Sequence, residues 1–291
     1  GPIEQMLSIF TYMDRENFNP ILVTLYEEPS DGTSQLQRYL DLGVTHIRVP
    51  LGKKEILLGK TQALKKKLDE LHADIVHSLG VFPDFALSRL KYPGHVTTLR
   101  NFVYEDYLAK FGKIKGTVMA KLHIYAMQRT DKTWTCSASL AKKYKEKLGF
   151  DFPYIRNGVN VSRFTKPTDE QKQNMRKKLG LPDNKTIFIY AGQFVPRKDQ
   201  QFLLEIFTEN PMLQNDILLL LGDGADFPGL KERFGQKSNV IMTGGVNNVN
   251  EYLQASDVYI ASSKSEGLPN GVLEAMAVGL PVILSDIEQH K

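Results

Sequence analysis

The sequence predicts an α/β fold made of two doubly wound, Rossmann-like parallel sheets. Short, wholly apolar runs alternate with segments of helical periodicity, a pattern typical of a parallel sheet with helices on both faces. Each apolar run ends in small or polar residues, and in such folds this carboxyl edge of the sheet binds ligands. Residues 157–182 carry Gly158 and Pro167 around a polar helix, so we divide the chain into domains 1–165 and 166–291 that face a cleft.

The alternation is clearest in the second half. Predicted strands are 186–191, 217–221, 240–243, 258–261 and 281–285. A helix predicted to follow residue 199 places four apolar side chains on its buried face, namely Phe202, Leu203, Ile206 and Phe207. Another helix is predicted over 271–278, with Gly279 as its C-terminal stop.

The first half repeats the alternation. Predicted strands are 21–26, 46–49, 75–77, 96–99, 134–137 and 154–156, and predicted helices include 3–13, 61–71 and 140–148. A doubly wound domain normally opens with a strand, whereas here a helix-like run follows Gly1 and Pro2 at once. The last predicted strand lacks a covering helix, and we therefore expect a chain truncated at both ends.

Composition excludes several classes of protein. The chain is 42% hydrophobic and 10% aromatic, which supplies ordinary cores and argues against disorder. A single cysteine, Cys136, excludes an internal disulfide and a thiolate zinc site. The longest apolar run, residues 275–284, is too short for a membrane-spanning helix, which needs about 20 residues.

The net charge of +4 is unevenly distributed: residues 1–165 carry +7 and residues 166–291 carry −3. The basic first half favours an anionic partner or is simply a solvated surface.

The segment 265–286, SEGLPNGVLEAMAVGLPVILSD, carries the clearest chemistry. Seven residues separate Glu266 from Glu274, and between them Pro269 and Asn270 favour a helix start that Asn270 can cap. We expect Glu266 on the loop before the helix and Glu274 about one turn inside it. The first backbone N–H groups of such a helix form an anion site, and the two carboxylates suit the hydroxyls of a sugar or a ribose.

This segment resembles the Glu-x7-Glu signature of the retaining glycosyltransferases of GT-B fold, family 4. Further segments match in the family's order: 157–164 resembles its Asn-Gly-Val-Asp…Phe segment, 191–198 (AGQFVPRK) its diphosphate loop, 222–224 its Gly-Asp-Gly turn and 255–258 its Ala-Asp-Val step. Residues 2–23 resemble the first helix and second strand of its acceptor domain, so the resemblance covers nearly the whole chain.

The resemblance implies transfer of a hexose from a nucleoside-diphosphate sugar, with retention at the anomeric carbon and with no metal or cofactor. The chain contains no Asp-x-Asp, the usual metal–diphosphate motif of the other glycosyltransferase architecture. By the resemblance, Glu274 would hold the donor ribose, Glu266 would contact the donor sugar and Lys198 would neutralise the diphosphate. The other substrate-binding residues it implies are Gly267, Leu268, Pro269, Asn270, Gly192, Gln193, Gly222, Asp223, Gly244, Val246, Asn157 and Gly1. His77 is a further candidate for substrate binding, because it ends the predicted strand 75–77 and so falls on the expected edge of the cleft.

Two positions depart from the family. Where the family commonly has Arg, this chain has Gln193, which carries no charge. Arg197, next to Lys198, can compensate for the missing charge or is simply a surface cation. Where the family often has His, after the strand at 96–99, this chain has Arg100. A guanidinium can hold a phosphate or a sugar hydroxyl but cannot act as an acid–base group. The predicted catalytic residues are therefore Lys198, Glu266, Arg197 and Arg100.

The expected partners are a nucleotide sugar, with UDP-sugar favoured, and a glycan or lipid-linked acceptor in cell-surface polysaccharide synthesis; no nucleic acid is expected. Residues 111–121 (FGKIKGTVMAK) mix basic and apolar side chains, and can rest on an anionic membrane or pack on their own domain. We expect a cytoplasmic protein that can lie on the inner face of the cell membrane. A nucleotide-sugar epimerase of the same fold and a non-catalytic nucleotide-sugar-binding fragment stay open as alternatives.

Overall fold

The computed structural model describes residues 2–29 and 34–291, which form two units divided between Asn157 and Gly158. This division lies before the predicted boundary at 165/166, because Val159 and Phe164 pack into the core of the second unit. We call them the N-terminal unit (Gly1–Asn157) and the C-terminal unit (Gly158–Lys291). Gly1, a predicted substrate-binding residue, lies outside the described residues.

The N-terminal unit alternates helices and strands as predicted. Its strands are β1 (Ile21–Thr24), β2 (Thr45–Arg48), β3 (Val76–Ser78), β4 (His95–Leu99) and β5 (Lys132–Thr135). Its helices are α1 (Pro2–Tyr12), α2 (Leu36–Leu40), α3 (Lys53–Leu57), α4 (Gln62–Glu70), α5 (Val81–Leu90), α6 (Val103–Met127) and α7 (Ala138–Leu148). The described strands pair in parallel in two groups, β1 with β2 and β3 with β4 and β5.

The strand predicted at 154–156 is wrong. Only one bridge forms, between Tyr154 and Thr135. Pro153, which precedes it, has no N–H group to extend the ladder, although its carbonyl accepts a hydrogen bond from the Thr135 N–H at 2.9 Å.

A buried carboxylate ties three elements of the N-terminal unit together. The fully buried Asp84 of α5 accepts a hydrogen bond from the Thr97 hydroxyl of β4 at 3.0 Å, and its Oδ2 lies 2.6 Å from Nε2 of His123 on α6. The other ring nitrogen of His123 lies 2.8 Å from the Tyr107 hydroxyl. Because a buried carboxylate is tolerated only when it is hydrogen-bonded, this network fixes the inner face of α6.

The C-terminal unit contains one five-stranded parallel sheet in the order β10-β9-β6-β7-β8. Its strands are β6 (Ile187–Ala191), β7 (Ile217–Leu221), β8 (Val240–Gly244), β9 (Val258–Ala261) and β10 (Val282–Leu284). Its helices are α8 (Asp169–Leu179), α9 (Gln200–Glu209), α10 (Phe227–Phe234), α11 (Val249–Ala255) and α12 (Asn270–Val278). Each of the five predicted strands in this half is present, and α12 ends at the predicted Gly279, which has a left-handed backbone.

The face of α9 that packs on the sheet differs from the prediction. Leu203, Leu204 and Phe207 are buried, whereas Phe202 and Ile206 are exposed. Adjacent positions on a helix are 100° apart, so the buried stripe here is the i, i+1, i+4 set that starts at Leu203. The sequence pattern alone did not distinguish this stripe from its neighbour one residue earlier.

Candidate functional site

The strand order of the C-terminal unit creates a crevice beside β6. From β6 the chain proceeds to β7 and β8 on one side, and then returns to β9 and β10 on the other side. The connections after β6 and β9 therefore leave the sheet in opposite directions, which is the topological switch point where ligands bind in open parallel sheets. Most of the predicted donor-site residues lie on the loops at this carboxyl edge.

Three charged side chains meet at the switch point. Arg197 and Lys198 form a 3₁₀ turn after β6 (Pro196–Lys198), and Glu266 lies on the loop after β9. Lys198 Nζ is ion-paired with Glu266 Oε1, and Arg197 Nη1 lies 3.2 Å from Glu266 Oε2. We call these three residues the charge cluster. Glu266 is only 6% exposed and Lys198 13%, so the structure brings together, largely shielded from water, three of the four predicted catalytic residues.

The electrostatics of the charge cluster are those of a closely coupled ion group. Burial acts to raise the pKa of Glu266, but Lys198 and Arg197, with a hydrogen bond from Ser263, outweigh it and hold that pKa below its ordinary value. Burial lowers the pKa of Lys198; Glu266 opposes the shift and Arg197 adds to it. One carboxylate against two cations leaves a net positive charge, which suits an anionic ligand.

Hydroxyl and amide side chains hold the two loops in place. Ser263, itself buried, donates to Glu266 Oε1 at 2.7 Å, and Ser262 donates to the carbonyl of Asp199 at 2.8 Å. The Gln200 side chain donates to the Gln193 carbonyl at 2.7 Å, which fixes the loop directly after β6. The sequence motifs did not predict these supporting roles; the only sign was that Ser262 and Ser263 directly follow a predicted strand.

Glycines allow the loops after β6, β7 and β8 to approach one another. Gly222 has a φ of +125°, and a Cβ there would lie 2.0 Å from the Gly192 carbonyl oxygen. The Gly192 N–H donates to the Leu221 carbonyl at 3.0 Å, and the Gly222 N–H donates to the Gly244 carbonyl at 2.8 Å. The three predicted glycines Gly192, Gly222 and Gly244 therefore lie where the three loops contact one another beside the switch point. At position 222 only glycine fits.

The remaining predicted residues of these loops have structural contacts. The Asp223 carbonyl accepts from the Phe194 N–H at 3.0 Å, and its carboxylate accepts from the Gly224 N–H at 2.7 Å. Val246 packs against the hydrophobic core of the unit.

Helix α12 begins directly above the ends of β6 and β9. A Cβ on Gly271 would lie 2.4 Å from the Tyr259 hydroxyl and 2.8 Å from the Ala191 carbonyl oxygen, so the helix start is pressed onto the sheet edge. The prediction that Asn270 caps this helix is wrong. Pro269 occupies the N-cap position with an extended backbone, and Asn270 is the first helical residue.

Glu274 lies one turn inside α12, as predicted. Burial, and then the charges of Glu266 and Glu274, raise the pKa of the Tyr259 hydroxyl. Both carboxylates of the seven-residue spacing therefore act on the same buried group at the switch point. The roles assigned to Gly267, Leu268 and the N–H groups at the start of α12 stay predictions.

Arg100, Asn157 and His77 lie in the N-terminal unit. The Arg100 guanidinium donates to the Asn157 side-chain carbonyl, and burial lowers the pKa of Arg100. Within the described residues the Arg100 Nε is buried without a hydrogen-bond partner. A ring nitrogen of His77 lies 3.0 Å from the Thr98 hydroxyl, and burial and then the Arg100 cation lower the pKa of His77. Arg100 thus lies close enough to act on both Asn157 and His77 within this unit.

No described residues gather as three or more His, Cys, Asp or Glu side chains in an arrangement that could hold a metal ion. Across residues 2–29 and 34–291, no helix combines the length and the apolar character needed to cross a membrane.

Comparisons with known proteins cover both units. Residues 171–291 match the family model described as Glycosyl transferases group 1, and residues 6–163 match the one described as Glycosyltransferase Family 4. The UDP-Gal:alpha-D-GlcNAc-diphosphoundecaprenol alpha-1,3-galactosyltransferase of Escherichia coli is 28% identical over 300 residues, which span 97% of this chain and 75% of that protein. The putative glycosyltransferase EpsD of Bacillus subtilis is 32% identical over 80% of this chain and 64% of its own length.

Solved structures share the fold. The crystal structure of Anabaena Alr3699/HepE in complex with UDP and glucose matches with a TM-score of 0.77 at 16% identity, covering 100% of this chain and 78% of that one. Sucrose-phosphate synthase from Thermosynechococcus elongatus matches with a TM-score of 0.78 at 17% identity, covering 99% of this chain and 76% of that one. The predicted α/β fold of GT-B type is confirmed, and the chain belongs to Glycosyltransferase Family 4.

Proposed function

We propose that this chain transfers a hexose from a UDP-sugar to a hydroxyl of a lipid-linked or glycan acceptor, with retention of anomeric configuration and without a metal ion. The observation that carries the proposal is the charge cluster: two cations and a carboxylate, largely buried, at the switch point of a parallel sheet. In the proposed complex the donor diphosphate lies against Lys198 and Arg197. The first turn of α12 then faces the phosphates or the sugar.

Charge accounts for the proposed rate enhancement. When the sugar–oxygen bond breaks, the leaving nucleoside diphosphate gains negative charge. The cations of the charge cluster are already oriented by Glu266, so they stabilise that charge without reorganisation at the moment of reaction. Loss of one such contact typically lowers the rate by about 10²–10³. In this mechanism Glu274 holds the ribose hydroxyls and Glu266 contacts the donor sugar.

The acceptor class is drawn from the relatives. One has a diphosphoundecaprenol acceptor in its name, and another, from Acholeplasma laidlawii, is called alpha-monoglucosyldiacylglycerol synthase and is 28% identical over 76% of this chain. Arg100, with a buried and unpartnered Nε among the described residues, is proposed to meet a phosphate or a hydroxyl of the acceptor or donor. The proposed location is the cytoplasmic side of the cell, where nucleotide sugars are available.

The test is a transfer assay with UDP-hexoses and lipid-diphosphate or glycan acceptors. Lys198→Ala is expected to lower kcat by about 10²–10³ while changing donor affinity less. Lys178→Ala, which removes an exposed lysine paired with Glu251, is the matched control and should leave transfer unchanged. Transfer activity that persists in the presence of a chelator would support catalysis without a metal ion. A product whose anomeric configuration, measured by NMR, equals that of the donor would support retention.

Other outcomes of these assays would favour one of the alternative functions over the proposed sugar transfer. Formation of an epimer from the donor alone, without an acceptor, indicates the epimerase alternative. If the chain binds the UDP-sugar but neither epimerises it nor transfers the sugar to any acceptor supplied, it is a binding fragment. Equal transfer by Lys198→Ala and the unsubstituted chain would refute the site.

A further inference from the structure

Helix α6 of the N-terminal unit contains a bend that exposes apolar side chains. Gly112 interrupts the helix with φ 73° and ψ 178°, a conformation that favours glycine. The backbone after the bend packs closely on the backbone before it, because a Cβ on Gly116 would lie 2.5 Å from the Tyr107 carbonyl oxygen. Every residue from 110 to 115 is exposed. The bend is therefore an ordered, close-packed feature of the helix with an exposed apex.

Large apolar side chains are presented at and after this bend. Ile114 is 86% exposed, Val118 61% and Phe111 40%. Ile114 and Val118 are four residues apart and so lie on one side of the helix. The inner face is occupied, since Ala120 is fully buried and His123 is hydrogen-bonded to Asp84. The outward direction of the apolar side chains is thus set by packing.

Lysines surround these apolar side chains. Lys121 continues the line of Ile114 and Val118, while Lys113 and Lys115 lie on either side of it. No carboxylate occurs between residues 107 and 130, and the ion pairs among the described residues include none of these three lysines. Phe111, Ile114, Val118, Lys113, Lys115 and Lys121 together form what we call the apolar–basic face.

We propose that the apolar–basic face docks on an anionic lipid bilayer. Apolar side chains next to cations match the boundary between the lipid headgroups and the acyl chains. There the apolar side chains insert among the acyl chains, and the lysines pair with the negatively charged headgroups. A symmetric contact between two copies of this chain would instead set the three lysines against their counterparts, which is unfavourable. The charge pattern therefore favours lipid over a second copy, and the inference does not depend on the proposed transfer reaction.

The lysines are tested by sedimentation with vesicles. The purified chain is mixed with vesicles of phosphatidylcholine alone or of phosphatidylcholine with phosphatidylglycerol. We expect binding to the anionic vesicles only, weakened by salt. Each lysine contributes about fivefold to partitioning, so the triple variant Lys113→Gln, Lys115→Gln, Lys121→Gln should bind about a hundredfold more weakly. The matched control Lys65→Gln, Lys66→Gln, Lys67→Gln removes the same charge from α4 and should bind as the unsubstituted chain does.

The apolar contribution is tested separately with Ile114→Ser, which replaces an exposed side chain without changing the charge and should preserve the fold by circular dichroism. It should reduce binding about tenfold, whereas Met212→Ser, at a similarly exposed position in the C-terminal unit, should not. Equal binding of the two lysine triple variants, or no binding to anionic vesicles, would overturn the proposal. Concentration-dependent dimerisation that Ile114→Ser abolishes, without vesicle binding, would assign the face to a second copy instead.

Discussion

The exchange Glu266→Gln separates the structural role of the charge cluster from its role in binding. In the free protein, this carboxylate accepts from Ser263 and pairs with Lys198 and Arg197 while being 6% exposed. Removing one partner of a buried ion pair typically costs 3–5 kcal/mol, because the opposite charge is left buried. Glutamine keeps an acceptor oxygen, so we expect a loss of about 3 kcal/mol in the free energy of unfolding, at the lower end of that range.

The same exchange should strengthen the binding of UDP. The carboxylate competes with a diphosphate for the two cations and also repels it. At a separation of about 5 Å and an effective dielectric constant of about 20, the repulsion of two unit charges is about 3 kcal/mol. Part of this is lost to solvent and side-chain rearrangement, so we expect UDP to bind at least about tenfold more tightly to Glu266→Gln. Sugar transfer should nevertheless fall, because the proposed contact with the donor sugar is lost.

Two measurements check these effects. Urea unfolding followed by far-UV circular dichroism reports both units, while the fluorescence of Trp134, the single tryptophan, reports the N-terminal unit. Isothermal titration gives the affinity for UDP. Glu251→Gln is the control, since Glu251 pairs with an exposed lysine, Lys178, and such pairs contribute about 0–1 kcal/mol. If Glu266→Gln binds UDP as weakly as, or more weakly than, the unsubstituted chain, the cations of the charge cluster are not the diphosphate site.

Three further predictions concern the same edge of the sheet. Gly222→Ala should destabilise the C-terminal unit by more than about 1 kcal/mol and weaken UDP binding, since the new Cβ would meet the Gly192 carbonyl; an unchanged urea midpoint would contradict this. Because its pKa is lowered, Lys198 loses its proton at a lower pH than an ordinary lysine. The midpoint of the alkaline decline in kcat/KM should therefore lie below about pH 10.4, and in Lys198→Arg this midpoint should shift to higher pH. Glu274→Ala should reduce affinity for UDP more than affinity for pyrophosphate by titration, because its proposed partner is the ribose; parallel losses would argue for a general effect on α12.

The predicted strands of the C-terminal unit were largely correct because each is a short, nearly continuous apolar run bounded by polar or small residues, a pattern typical of a parallel sheet covered on both faces. The N-terminal unit was harder, as the single bridge at Tyr154 shows, since short strands with mixed polarity resemble loops in sequence. The buried face of α9 was assigned one residue too early, because Phe202 and Ile206 are as apolar as the side chains that the sheet actually covers.

The sequence motifs predicted Lys198, Glu266 and Glu274 as residues of the site, whereas the supporting hydrogen bonds of Ser263 and Gln200 emerged only in three dimensions. Serine and glutamine are common on surfaces, and nothing in their spacing distinguishes a supporting hydrogen bond from a solvated side chain. Their roles depend on loops that are adjacent in space through the pairing of β6 with β9 and far apart along the chain.

The sequence by itself determined the class of fold, the order of its strands along the chain and the residue types that suit a sugar diphosphate, because these follow from local periodicity and from motifs a few residues long. Only the tertiary structure decided that Arg197 and Lys198 pair with the carboxylate of Glu266, and that Ile114 and Val118 face outward. Both results depend on which segments pack together, and packing between distant segments is set by the whole fold rather than by any one stretch of residues.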